Sequence, residues 1–152
     1  MAAAAQDRPD VEVFREISQI DHLVRQSVSR RLPPGMAYAQ YELLRIMARE
    51  GDGQTPAQLA RAMLLTKGAL TNILQRMEAA GHVQVIADET DRRKKRVRIT
   101  GAGVAAFNTV VKGLKQHNSD LRSAFTDAEF RDAMPFLKAL RTFLLEVRPD
   151  ES

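Results

Sequence analysis

The chain has no cysteine among its 152 residues. That excludes disulfide staples, thiolate nucleophiles, thiol redox sensing and cysteine metal sites together, and it fits a reducing compartment. No apolar run approaches the ~18 residues a membrane-spanning helix needs. The opening MAAAAQDRPD has an alanine tract but no basic leader and no long apolar core, so it reads as a frayed tail rather than a secretory signal. The three histidines, His22, His82 and His117, are far apart and lack metal-ligand spacing. There is no phosphate loop and no nucleophile–base–orienter pattern. No internal repeat is found. These absences predict a cytoplasmic protein without catalytic activity, metal or cofactor, and with no membrane partner.

What is present fits a soluble globular chain. Apolar residues make up 44% and charged residues 28%, which argues against wholesale disorder, and the length suits one domain. The net charge is +4, unevenly placed. Between Thr55 and Thr100 nine lysines and arginines face four acids, a local +5 that leaves −1 for the remainder. Six of the ten residues in Asp91–Thr100, DRRKKRVRIT, are basic. Positive charge concentrated in one module is the footprint of a polyanion-binding protein.

Hydrophobic spacing predicts the elements. Asp10 to Leu32 reads as a helix with Val13, Ile17, Ile20, Val24 and Val28 on one stripe, stopped by Pro33 and Pro34. A second helix runs from Tyr38 to Arg49, with Tyr41, Leu44 and Met47 or Ala48 inward, and Gly51-Asp52-Gly53 turns the chain. Thr55-Pro56-Ala57-Gln58 opens a short helix ending near Met63: Thr55 caps, Pro56 suits the first position and Gln58 reaches back. Thr66 caps the next helix, which runs to Ala80 and stops at Gly81. Two short helices with a small residue, Ala60, inside the first make a helix-turn-helix.

Val83–Ile86 and Arg96–Ile99 read as strands, joined by the turn residues Asp88-Glu89-Thr90-Asp91. In the second strand Val97 and Ile99 point inward, Arg96 and Arg98 outward. Thr100 caps a long helix on which Val104, Phe107, Val111, Leu114, Asn118, Leu121 and Phe125 form a heptad seam. Thr126-Asp127-Ala128-Glu129 starts a last helix carrying Phe130, Ala133, Leu137, Leu140, Leu144 and Val147; Pro135 should kink it or delay its start. The fold class is mainly α with a small β-hairpin wing: a winged helix-turn-helix lobe over 38–100, and a helical dimerisation region from the terminal helices, 10–32 and 101–148, in a single domain over 1–152.

The helix after Thr66 splits into two faces. Leu70, Ile73, Leu74 and Met77 pack on the domain; Lys67, Thr71, Asn72, Gln75 and Arg76 face outward. Asn and Gln can pair with adenine and Arg with guanine, each through two hydrogen bonds. Gly68 and Ala69 let a backbone come close. Thr66 reads as a cap whose hydroxyl is also near enough to meet a phosphate. In the wing, Arg92, Arg93, Lys94 and Lys95 neutralise phosphates, and an arginine at the tip suits a narrow minor groove. Asp91 repels DNA by itself, so it is expected to pair with a nearby arginine and fix the wing's shape. Terminal helices with narrow apolar stripes predict a homodimer reading a two-fold operator in double-stranded DNA.

The pattern Asp91-Arg92-Arg93, Ile99-Thr100 and Gly103 resembles the D-x-R … L-T-x-x-G wing signature of the MarR family of bacterial transcription regulators. Leu74-Gln75-Arg76-Met77-Glu78, Gly81 and Val83 resemble the end of that family's recognition helix and the turn after it. The resemblance covers nearly the whole chain. It implies a triangular homodimer that represses transcription and leaves its operator when a small, often aromatic or phenolic, ligand binds. It implies that Arg93 is the minor-groove arginine and Asp91 its buttress. The family's G-L-V-x-R strand reads Gly81-His82-Val83-Gln84-Val85 here, so a contact from its customary arginine is absent. The family's cysteine-based peroxide sensing has no residue here to carry it.

The resemblance also implies an effector pocket between the dimer helices and the DNA lobe. His22, Tyr38 and Tyr41 are the candidates there, because a tyrosine offers an apolar ring with a polar tip. Tyr41 has an equally good reading as core, and His22 as a surface or interface residue. The rival to a DNA-binding repressor is a winged-helix module for protein contact, or an antirepressor without specific DNA affinity. The salt dependence of DNA binding separates them.

Overall fold

The computed structural model describes residues 8–147, apart from the side chain of Gln116. The tail from Met1 to Asp7 and the final residue of the anticipated 101–148 region lie outside the described residues. The elements are α1 (Pro9–Ser29), α2 (Tyr38–Glu50), α3 (Pro56–Met63), α4 (Lys67–Ala79), β1 (Val83–Ala87), β2 (Lys95–Ile99), α5 (Gly101–Ala124) and α6 (Asp127–Glu146). A mainly helical chain with one antiparallel hairpin matches the predicted fold class. Two compact units divide between Leu114 and Lys115, within α5.

The first unit is built on an apolar core. Leu43 and Leu44 of α2, Leu59 of α3, Leu70 and Met77 of α4, Val83, Val97 and Val110 are all fully buried. Each such side chain contributes about 1.5–3 kcal/mol of transfer free energy. They sit on the periodic positions the sequence marks, and Ala60, 4% exposed, is the small residue where α3 meets α4. Tyr41, Leu44 and Met47 point inward while Ala48 is exposed, which settles the choice at the end of the α2 stripe.

Helix ends follow side-chain chemistry. Thr55 Oγ1 accepts from the Gln58 amide at 3.2 Å and the Gln58 side chain accepts from the Thr55 amide at 2.9 Å, a complete capping box. Gln40 makes half of one, accepting from the Ala37 amide at 2.8 Å; alanine has no acceptor to return it. Leu64, at φ 57, closes α3 in the left-handed region, which costs a non-glycine residue about 1–2 kcal/mol and sharpens the turn into α4.

The hairpin register pairs Val83 with Ile99 and Val85 with Val97. The other edge of β2 is also occupied. Gly53 N–H donates to the Val97 carbonyl at 3.0 Å and Val97 N–H donates to the Gln54 carbonyl at 2.8 Å. The loop before α3 therefore pins the base of the wing.

Three expectations need correction. The first helix stops at Ser29, not Leu32: Arg31 N–H reaches the Val28 carbonyl and Leu32 N–H the Ser29 carbonyl, because a residue before proline is pushed out of the helical region. Pro135 does not delay the start of α6, which begins at Asp127 under a full Thr126–Glu129 capping box and continues through the proline; the proline removes one ladder donor. The α5 seam does not serve one purpose. Phe107 and Leu114 pack against the core of the first unit and Val110, off the predicted seam, is its most buried α5 residue. Val104, Leu121 and Phe125 are exposed. A heptad marks a face and does not say which neighbour covers it.

Candidate nucleic-acid interface

Helix α4 turns its predicted polar face to solvent. Thr66, Lys67, Gly68, Thr71, Asn72, Gln75 and Arg76 are exposed and Ala69 is half-buried, while Leu70, Leu74 and Met77 are buried. Thr66 Oγ1 accepts from the Ala69 amide at 3.2 Å, so Thr66 is the cap of α4. The Thr71 hydroxyl donates to the Lys67 carbonyl at 2.8 Å and offers only lone pairs and a methyl outward. Asn72, Gln75 and Arg76 project amide and guanidinium groups of the kind that form paired hydrogen bonds to base edges.

Gly68 tests the close approach of a ligand to this face. A Cβ added there meets nothing within 4 Å, so the protein itself has no steric need for glycine. Replacing Gly68 with alanine is expected to stabilise the fold by about 0.5–1 kcal/mol, the usual gain of Ala over Gly in a helix. The same change is expected to weaken DNA binding severalfold. Thermal unfolding and a binding titration on one sample check both; a rise in affinity would contradict a close backbone approach.

The wing exposes five of its six cations, four of them together toward the tip. Arg92, Arg93, Lys94 and Lys95 are exposed. Arg93, with its side chain 92% exposed, is held by Asp91: Oδ1 accepts from the Arg93 backbone N–H at 3.1 Å and from Nε at 3.2 Å. Asp91 thus fixes the tip, the geometry expected of it. The Lys94 amide closes the turn onto the Asp91 carbonyl at 2.9 Å.

Arg96 and Arg98 were expected to face out; Arg98 is exposed, whereas Arg96 is half-buried. The Arg96 Nη2 sits 2.9 Å from Asp88 Oδ2, and its Nη1 donates to the Gly53 carbonyl at 3.2 Å. Arg98 lies 3.6 Å from Asp52, whose other oxygen accepts from the Ile99 amide at 2.9 Å. Sequence reasoning missed Asp88, Asp52 and Gly53 as wing anchors. Alternation along a strand assigns a side chain to a face, and the partner lies 43 residues away in the case of Arg96 and Gly53.

Hydrogen bonds from the Thr90 amide and from Arg96 hold the Asp88 carboxyl below the ordinary aspartate range. Its contribution to stability is therefore complete above the unfolded-state value near pH ~4 and is lost as pH falls through the lower folded value. Asp88→Asn is expected to lower the melting temperature at pH 7, and the gap to wild type should close as the pH falls below ~4. A gap that stays constant with pH would contradict the pairing.

Between α4 and the wing lies an open cleft of about 640 Å³. Lys67, Leu70 and Thr71 line one side and Arg93, Lys94, Lys95 and Arg96 the other, with Thr55–Gln58 at the start of α3 between them. The α3 residues were read from sequence only as a helix start; the fold places them in the lining of the cleft. A cationic groove beside a solvent-facing polar helix can take a phosphate backbone along its floor while the helix meets base edges.

The candidate effector residues are partly gathered. Tyr38 and Tyr41 have ring centroids 6.1 Å apart, edge to face, and Tyr41 stacks on Phe107 at 6.1 Å. The Arg25 guanidinium lies 4.8 Å over the Tyr38 ring, a cation–π contact. Burial and the neighbouring Glu42 push the Tyr38 phenol up to about 12, so it remains a neutral donor. Tyr41 is 7% exposed and part of the core. His22 is exposed on α1; Arg25, one turn further, is the α1 residue that reaches the tyrosines.

A helix-turn-helix followed by a pinned cationic hairpin defines a winged helix-turn-helix protein. The MarR family model (MarR_2) matches residues 35–94, from before α2 to the wing tip. The HTH-type transcriptional regulator PecS of Dickeya dadantii (strain 3937) is 25% identical over 131 residues, 81% of this chain and 79% of the relative. The crystal structure of AbsC, a MarR family transcriptional regulator from Streptomyces coelicolor, matches with a TM-score of 0.80 at 21% identity, covering 95% of this chain and 99% of that one. The organohalide-sensing regulator RdhR in its 2,4-dichlorophenol-bound form matches with a TM-score of 0.79 at 17% identity, covering 99% and 94%. At such identities the structural likeness speaks for the fold. Residues 35–94 match the MarR family model, and over most of its length the chain is similar to HTH-type transcription regulators.

Proposed function

We propose that the protein is a homodimeric, cytoplasmic repressor that binds a palindromic operator and is released from it by a small aromatic or phenolic ligand. The observation that carries the DNA reading is the exposed polar face of α4 set across a 640 Å³ cleft from the exposed cations of the wing. On this reading Lys67, Thr71, Asn72, Gln75 and Arg76 meet the major groove, with Gly68 and Ala69 permitting close approach and Thr66 near a phosphate. Arg92, Arg93, Lys94 and Lys95 follow the adjacent backbone, with Asp91 holding Arg93.

Dimerisation is supported by apolar surface with no cover within either unit. Phe14, Ile20, Leu23 and Val24 of α1 are exposed, and so are Phe130, Leu137, Phe143 and Leu144 of α6. Soluble monomers rarely expose so many large apolar side chains along single faces. A two-fold pair would present two α4 helices to half-sites about one helical turn apart.

The ligand reading rests on the aromatic cluster. Tyr38 offers a neutral phenol and Arg25 a cation beside it, a pair suited to an aromatic ring with an acidic substituent. Tyr41 would supply a wall, and His22 would close the rim from α1. The reading is supported by the organohalide-sensing regulator of similar fold that was solved in its 2,4-dichlorophenol-bound form. The test is a gel shift on the DNA flanking the protein's own gene, with light scattering for mass and a series of phenolic acids as competitors. A dimer bound to DNA and displaced by one of the acids is expected; a monomer, or a complex that none displaces, would overturn the dimer or the effector part respectively.

A further inference from the structure

Arg96 lines the DNA-facing cleft, yet its guanidinium is already engaged. Nε donates to Asp88 Oδ2 at 3.1 Å, Nη2 lies 2.9 Å from the same oxygen, and Nη1 donates to the Gly53 carbonyl at 3.2 Å. Asp88 is equally committed: Oδ1 accepts from the Thr90 amide at 3.0 Å and the Thr90 hydroxyl at 3.1 Å. Its side chain is 10% exposed, against 92% for Arg93. One carboxylate thus joins three parts of the lobe. Through Thr90 it holds the wing's outward limb, through Arg96 the return strand β2, and through Arg96 and Gly53 the loop that leads into α3.

We infer that Asp88 and Arg96 form a latch that sets the direction of the wing relative to α4, so that Arg96 acts as a positioning residue and not as a phosphate contact. The inference rests on the wing binding DNA as proposed above. The physical reason is leverage. A two-stranded ribbon is weakly stable by itself; Asp52 ties Ile99 and Arg98 at its base, Gly53 and Gln54 bond the Val97 backbone, and the Arg96 fork to Gly53 is the tie set nearest the tip on this edge among those described. A small rotation at the base carries Arg92, Arg93 and Lys94 at the tip away from the path of the backbone. A planar guanidinium bonded on three nitrogens resists that rotation where a lysine ammonium would not.

Electrostatics and positioning predict opposite signs for one substitution. Asp88→Asn removes a negative charge next to the DNA site, which by charge alone strengthens binding. The latch predicts that it weakens binding about tenfold, with a shallower salt dependence as the tip cations lose their phosphates. Arg96→Met should do the same, and the double variant should be no worse than either single one, since both break one device. Arg96→Lys should recover little.

The experiment measures operator affinity against salt for wild type, Asp88→Asn, Arg96→Met, the double variant and Arg93→Ala, well below each melting temperature. Tighter binding by Asp88→Asn, or additive losses in the double variant, overturns the latch. Losses in melting temperature with unchanged affinity overturn it too, because they leave only a structural role. If Arg93→Ala leaves the salt slope of wild type intact, the DNA reading of the wing has failed instead, and the two failures are distinct.

Discussion

Gly103→Ala is expected to be the most destabilising single-methyl change in the protein. A Cβ at Gly103 would lie 2.2 Å from the His82 carbonyl oxygen and 2.9 Å from Ile99 Cγ1. The first is a backbone atom in the turn between α4 and β1, and it is fixed from both sides. Thr100 N–H donates to that same His82 carbonyl at 3.0 Å, the Thr100 hydroxyl donates to the Gly81 carbonyl, and Gly103 N–H donates back to Thr100 Oγ1 at 3.0 Å. The start of α5 is therefore tied to the turn after α4 by the residue that caps it, and only a glycine fits three residues on. Overpacking costs about 1–3 kcal/mol in ordinary cores, and a clash with tied backbone belongs at or above the upper end. A fall in melting temperature of roughly 10 °C follows for a chain of this size. Gly113→Ala is the control: a Cβ there meets nothing within 4 Å, and the variant should melt at or above wild type. Equal melting temperatures for Gly103→Ala and wild type would contradict the packing described.

The second large effect is on binding. Replacing Arg92, Arg93 and Lys94 together with alanine is expected to flatten the salt dependence of operator binding. Each phosphate neutralised contributes about 0.9 to the slope of log K against log salt. The homodimer proposed above would carry two wings, so the slope should fall by about 2 if one cation per wing reaches a phosphate and by about 5 if all three do. At 0.1 M salt the loss of two such contacts alone weakens binding roughly 50-fold. The fold should be unaffected, because these side chains are exposed and only Asp91 loses a partner. Isothermal titration or fluorescence anisotropy over a salt series measures the slope. A slope change below 1 would mean that the wing is not on the DNA, and would favour the reading of the lobe as a protein-contact module.

The sequence displays the lobe more completely than the terminal helices, for a physical reason. Caps, turns and short-range periodicity are local, so α3 and α4 are legible to within a residue from Thr55, Thr66 and Gly81. The hairpin is legible from alternation and turn residues. The polar face of α4 follows from its apolar one. Three kinds of information are not local. The charge of Arg96 and Arg98 is visible in one dimension, but their commitment to Asp88, Gly53 and Asp52 requires the α2–α3 loop to return beside β2. Gly103 carries a family signature in sequence, yet its reason is the backbone of His82, brought near by the fold. The α5 seam is a correct period with a divided use, since Phe107 and Leu114 meet the lobe core and Leu121 and Phe125 stay exposed. Tyr41 and Phe107 were both picked out by pattern, but their stacking joins two helices far apart in the chain.

The claim at the centre of the account is a division of labour, in which α4 reads bases and the wing holds phosphates. It is tested most directly by selecting sequences from a random double-stranded pool with three proteins: wild type, Asn72→Ala/Gln75→Ala, and the triple wing variant. Wild type should enrich a two-fold symmetric sequence with half-sites about 10 base pairs apart. The α4 variant should lose that preference and keep its salt slope, and the wing variant should keep the preference and lose slope. Enrichment of the same sequence by wild type and the α4 variant would contradict the account.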